Sequence, residues 1–286
     1  MPLLLQIMLC SAFGGIASAA FAIVFLWVPE EKSARILPHF VSFATGALLG
    51  AALLALLPEA MERAGPAGAH AIGVALVIGL GVFFVIEKLV LWWHAHAHEN
   101  GASGAGYCPQ HADTVAHPHH HHAATGQGGG DPVSARDHAS GVLVLIGDSL
   151  HNALDGVLIA AAFLSSVQLG IVTTFAVAAH EIPHRVGDFA ILVQAGLSRQ
   201  RALLLNLATG IASVVGAIAA YVGLRGAMGA LPYALAVAAA GFLYIAVAGL
   251  IPGLHRRADP FTSAVQVVLI ALGIATIGCA EQLVSG

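Results

Sequence analysis

Two short stretches hold most of the chemistry this sequence can do. "HEIPH" runs from His180 to His184, and "GDSLHNALDG" runs from Gly147 to Gly156. As a pattern the first is H-E-x-x-H, in which two histidines one helical turn apart bind a metal and the glutamate acts as general base. The second sets His151 and Asp155 at i,i+4 on one helix face, with Asp148 one turn earlier on much the same face. His180, His184 and Asp188 repeat that step. If the two faces meet they bring imidazoles and carboxylates together, a nitrogen and oxygen set suited to Zn2+, with Fe2+ and Mn2+ as alternatives. Asn152 and Glu181 lie on the adjoining face, where they can hold a second ion or a water.

These polar residues sit in apolar surroundings. Of 286 residues 58% are apolar and only 9% are charged, and the mean hydropathy is +0.86. Soluble domains carry about 25% charged residues, so the class is a polytopic membrane protein. A net charge of -4 gives no basic footprint and excludes nucleic acid as a partner. Cys10, Cys108 and Cys279 are far apart and form no C-x-x-C pair, which argues against a disulfide framework and a thiolate metal site.

About 20 apolar residues cross a bilayer. Eight segments qualify, near 3–28, 36–58, 71–93, 141–164, 169–195, 201–224, 232–254 and 262–284. The expected fold is an all-α integral membrane protein, a bundle of eight transmembrane helices packed through abundant Gly and Ala. Residues 1–93 hold helices one to three, and residues 141–286 hold helices four to eight with the metal site on four and five. Residues 94–140, rich in Gly, Ala and His, read as a disordered loop. The connections after spans one, three, five and seven carry Lys32, Arg35, Arg136, Arg199, Arg201, Arg256 and Arg257, against Arg63 and Arg225 in the others. The positive-inside rule makes the first set cytoplasmic, with both termini outside. The long loop then lies in the cytoplasm, where His94, His96, His98, His117, His119, His120, His121 and His122 can capture metal.

An ionisable group at the centre of a span costs about 2.5–3.5 kcal/mol on insertion scales, which makes each one a functional candidate. Spans four and five concentrate them: Asp148, His151, Asn152 and Asp155 on one, His180, Glu181, His184, Arg185 and Asp188 on the other. Pro183 breaks a backbone hydrogen bond among them, which membranes tolerate where a helix lines a polar cavity.

At these residues the sequence resembles the ZIP (Zrt/Irt-like) family of divalent-metal permeases, in its HEIPHE-bearing branch. "GDSLHNALDG" is similar to that family's H-N-x-x-D-G motif, and "HEIPHRVGDFAILVQAG" to its H-E-x-P-H-E-x-G-D-F motif. "LLPEAMERAG" and "FLYIAVAGLIPGLH" resemble weaker signatures. The resemblance implies an eight-helix bundle with a mid-membrane metal site, often binuclear, that moves zinc (iron or manganese as alternatives) into the cytoplasm. It makes His151, Asp155, His180 and His184 primary ligands, with Asn152 and Glu181 in the neighbouring site. Asp148, Arg185 and Asp188 then lie beside the ligands or along the path, and Glu59 lies at the outer mouth. The implied partners are divalent metal ions and the lipid bilayer of the cell (inner) membrane, crossed several times, with a homodimer left open. The sequence departs from the family where Arg185 replaces a glutamate, where Gly249, Gly253 and Ser213 stand at positions often acidic, and at Ala55, often a histidine. Arg185 lies i,i+4 from Glu181, and two expectations follow: its guanidinium takes the niche of a second cation and leaves a mononuclear site, or it repels cations and impairs transport.

Two other readings use the same residues. An intramembrane zinc metalloprotease would use His180-Glu181-x-x-His184 with the Leu154-Asp155-Gly156 triplet. Here that triplet precedes the histidines, Pro183 splits the motif, and the extra polar residues close the coordination position a hydrolytic water needs. A metal sensor without transport lacks any accompanying signalling motif. The permease reading, which is not that of an enzyme, is preferred. Release is expected from a shift of the two ligand helices relative to each other, with one bundle rocking against the other to expose the site outward and then inward.

Overall fold

In a computed structural model of the chain, residues 2–27, 30–99, 132–194, 196–255 and 260–285 are described, and they are helical apart from short turns. Helix α1 is Leu3–Trp27. Helix α2, Glu30–Gly50, runs through a π-helical turn at Ala51–Leu56 into α3, Leu57–Glu99. Helices α4, Pro132–Ser165, and α5, Val167–Gln194, are joined through Ser166. Helix α6 is Arg199–Arg225 and α7 is Leu231–Tyr244. A second π-helical turn, Ile245–Leu250, links α7 to α8, Ile251–Leu254, and α9 is Pro260–Ser285.

Both π turns have the same cause. Each ends just before a proline, Pro58 or Pro252. A proline ring clashes with the carbonyl four residues earlier and offers no N–H to it. Widening the preceding turn by one residue relieves both problems without ending the helix. The connection between the apolar segments 36–58 and 71–93 is helical on both sides of a break at a single residue. Gly65 has φ 66° and ψ 176°, a conformation open to glycine alone, and Pro66 follows it.

Four stretches among the described residues are long and apolar enough to cross a membrane: Arg35–Leu89, which contains the Gly65 break, Arg199–Arg225, Met228–Leu254 and Pro260–Gln282. The helices sort into two sets by their neighbours. Helix α4 packs along α5 and α6, and α1 packs against α5 and α6. Helix α3 packs along α7, and α2 along α9, while α2 meets α5 and α4 meets α7 where the two sets adjoin. Lipid gives helices no hydrophobic reason to associate, so small residues and close backbone approach decide these seams. At the α4–α6 seam a Cβ on Gly156 would lie 1.8 Å from the Ser213 carbonyl oxygen, and one on Gly216 would lie 2.0 Å from that of Ala153. The α2–α9 seam repeats the device, with a Cβ on Gly46 falling 2.0 Å from the Ile270 carbonyl oxygen. Backbone cannot retreat as a flexible side chain can. We expect Gly156→Val to lower stability by about 3 kcal/mol or more, while Gly223→Ala, in open space, leaves it unchanged or slightly raised. Thermal unfolding of the detergent-solubilised protein measures both, and equal midpoints would contradict the seam.

Candidate metal centre

The α4 and α5 helices bring their polar faces together in the first set of helices. Four ligand atoms converge: His151 Nε2, His180 Nε2, Asp155 Oδ2 and Glu181 Oε1. The two ring nitrogens are 3.3 Å apart. His180 Nε2 is 3.4 Å from Asp155 Oδ2 and 3.9 Å from Glu181 Oε1, and His151 Nε2 is 3.8 and 3.6 Å from the same oxygens. A tetrahedral zinc with bonds of about 2.0–2.1 Å requires ligand atoms about 3.3–3.4 Å apart. A contraction of a few tenths of an ångström therefore closes these atoms on one ion.

Two further observations fit a cation. Both Asp155 oxygens and Glu181 Oε1 are buried without a hydrogen bond, a costly state for a carboxylate that nothing neutralises. The His180 ring is also set for binding. Its Nδ1–H donates to the Ala176 carbonyl at 3.2 Å, which leaves the Nε2 lone pair aimed at the cluster. Ala176 is one helical turn before His180, so α5 itself fixes the tautomer.

His184 lies one step away from this tetrahedron. Its ring stacks on that of His151, with centroids 5.0 Å apart and planes 19° apart, and its ligand nitrogen groups with Asp148 and Asp188 instead. Asn152 also points elsewhere. Its Nδ2 donates to the Asp148 carbonyl and to Asp148 Oδ1, both at 2.8 Å, and its Oδ1 accepts from Arg185. Glu59 pairs with Arg63 at 2.6 Å and accepts from Ser165, clipping α3 to the end of α4. The His-rich stretch with His117, His119, His120, His121 and His122 lies outside the described residues. For His94, His96 and His98 only the helical backbone of α3 is described.

Arg185 is fully buried. Its Nη2 is 3.1 Å from Glu181 Oε2 and donates to Asn152 Oδ1 at 2.8 Å. Its Nε donates to Ser18 Oγ at 2.9 Å, and its Nη1 donates to Asn206 Oδ1, to the Asn206 carbonyl and to Thr209 Oγ1. Asn206 Nδ2 returns a bond to the Arg185 carbonyl at 3.0 Å. Gly15 and Gly210 leave the room; a Cβ on Gly210 would come to 3.4 Å from Nη2. Sequence reasoning passed over Ser18, Asn206 and Thr209. The available signal was Asn206, an amide in the middle of the apolar run "ALLLNLATG".

Residues 3–280, nearly the whole chain, match the family described as ZIP Zinc transporter. The chain belongs to the ZIP zinc transporter family. It is similar to "Zinc transporter SLC39A7" of Rattus norvegicus, 34% identical over 321 aligned positions that cover 91% of this chain and 69% of the relative. It is also similar to "Zinc transporter ZIP13" of Homo sapiens, 35% identical over 266 positions covering 86% and 71%. The Danio rerio protein of the same name is 31% identical over 298 positions, covering 94% and 86%. This ZIP protein is thus a helical membrane protein of a transporter family, and the protease and sensor readings find no support among these relatives.

Within this ZIP chain, truncating Arg185 leaves Glu181, Asn152 and Asn206 buried around an empty niche. Arg185→Ala should therefore destabilise the protein by about 3–5 kcal/mol, and Arg185→Lys, with too few donors in a fork, should recover only part of that. Thermal unfolding tests both, and a wild-type midpoint for Arg185→Ala would contradict the bonding described.

Proposed function

We propose that this protein is a zinc permease that moves Zn2+ toward the cytoplasm and holds a single ion among His151, Asp155, His180 and Glu181. The observation that carries this reading is the near-tetrahedral set of four ligand atoms, buried and partly unsatisfied, within a family whose relatives are zinc transporters. Fe2+ and Mn2+ remain candidate competitors, because carboxylates suit harder ions.

Formal charges explain why one ion suffices. Asp155 and Glu181 contribute two negative charges and Arg185 one positive, so the site carries about -1 before metal enters. One zinc takes it to about +1, and a second would take it to about +3 at a separation where such repulsion is severe. The Arg185 guanidinium thus stands in for a second cation. The same arithmetic weakens the bound ion, which a transport site needs in order to release it.

The membrane arrangement we infer is eight spans with both termini outside and residues 94–140 in the cytoplasm. Supporting it are eight apolar segments in the sequence and the seven-to-two bias of basic residues between alternate connections. Alternating access follows from motion between the two sets of helices. Arg185 bonds α5 to α1, α4 and α6, so the ligand pair α4–α5 travels with that set as one body against α2, α3, α7 and α9. This differs from release by parting α4 from α5, since the guanidinium holds them together.

Radiotracer zinc uptake into proteoliposomes tests the reading. Saturable uptake is expected, falling to background in His151→Ala and His180→Ala variants that remain folded. Unchanged uptake in both would reject the ligand assignment, and no uptake by the wild type would reject the permease. Acidification should reduce zinc binding, since histidine must be neutral to ligate.

A further inference from the structure

Beside the four-ligand cluster the same two helices build a second one. We propose that Asp148, His184 and Asp188 form a transit site that receives the zinc ion from the first cluster on its way out. The inference rests on the permease reading and adds to it a second, weaker metal site.

Its ligand atoms, one from each residue, lie within 4.8 Å of one another. His184 Nδ1 is 3.7 Å from Asp188 Oδ2. Asp148 is only 7% exposed, yet its Oδ2 has no hydrogen-bond partner, and neither has Asp188 Oδ2. Asp148 Oδ1, by contrast, is held by Asn152 at 2.8 Å. That bond fixes the carboxylate and leaves its second oxygen free. A buried carboxylate with one oxygen restrained and the other unsatisfied is shaped to accept a cation.

The position of the cluster argues for transit rather than storage. Asp148, His184 and Asp188 line a cavity of about 360 Å3, which also reaches His151 of the first cluster and Glu87 of α3 across from it. Asp155, His180 and Glu181 do not line it. An ion leaving the first cluster toward the cavity must therefore pass His151 and the imidazole stacked on it, His184. His184 belongs to the second cluster and stacks on a ring of the first, and its side chain is 44% exposed. The second cluster offers three protein ligands where the first offers four, and it opens to the cavity, so water completes the coordination and binding is weaker. Charge drives the step. The first cluster carries Arg185 beside Glu181, whereas among the described residues neither Asp148 nor Asp188 has a Lys or Arg within ion-pairing distance.

Isothermal titration of Zn2+ into the purified full-length protein tests this, comparing wild type with Asp148→Asn, Asp188→Asn and the double variant. Both substitutions keep size, and Asp148→Asn keeps an oxygen to accept from Asn152 Nδ2. The wild type should show two classes of site, one tight and one weak. Each substitution should weaken the weak class at least about tenfold, as removal of a unit charge a few ångströms from a dication requires even at the dielectric of water. The double variant should lose that class and keep the tight one. In preloaded proteoliposomes its zinc release should slow at least about tenfold, the tight class still filled. A wild type with a single class, or a double variant that keeps both, overturns the transit site and leaves the first cluster standing. Survival of the tight class in His180→Ala overturns the first cluster itself.

Discussion

The structure turns on one buried guanidinium. A charge taken out of water costs several kcal/mol unless paired and fully hydrogen-bonded, and Arg185 meets that condition only by drawing on four helices at once. Ser18 comes from α1, Asn152 from α4, Glu181 from its own α5, and Asn206 and Thr209 from α6. Gly15 and Gly210 are small where the group needs space. Remove any of these partners and the arginine becomes the costliest group in the bundle. The partners in turn fix the relative heights of the four helices, and with them the positions of the candidate ligands on α4 and α5.

That constraint joins packing to chemistry. The close α4–α6 contact at Gly156 and Gly216 sets the depth at which Asn206 reaches Arg185. Arg185 then holds one oxygen of Glu181, leaving the other, Oε1, turned toward His151 and His180. The candidate metal cluster is thus one half of a network whose other half is a salt bridge. A carboxylate shared between a fixed cation and a passing one binds the second less firmly than it would alone, which suits a permease better than a structural zinc site.

The residues that gather in the candidate site were legible in the sequence, because polar groups set close together in an apolar run are a local signal. His151 with Asp155, and His180 with Glu181, stand out from the apolar runs around them. The division of labour was not legible. His184 has the same spacing to His180 that Asp155 has to His151, yet it joins the other cluster. Helices α4 and α5 run antiparallel through a one-residue link, so residues early in one face residues late in the other. Asp155 meets Glu181, while Asp148 meets Asp188. Such pairing depends on the register between helices, which no spacing within one helix encodes. For the same reason Arg185 could be paired with Glu181 from spacing, but not with Ser18 or Asn206, far away in the chain. In the fold, the apolar segments marked where the helices lie. The π turns before Pro58 and Pro252 and the break at Gly65 were not anticipated, since hydropathy is blind to how a proline or glycine is accommodated.

The central claim is a single zinc ion held by two imidazoles and two carboxylates beside Arg185. X-ray absorption spectroscopy on the purified protein loaded with one equivalent of zinc tests it most directly. The account predicts about four nitrogen and oxygen neighbours at roughly 2.0 Å, with multiple scattering from two imidazole rings and no heavy neighbour. A second zinc at roughly 3.5–4 Å, or sulfur in the inner sphere at roughly 2.3 Å, would contradict it.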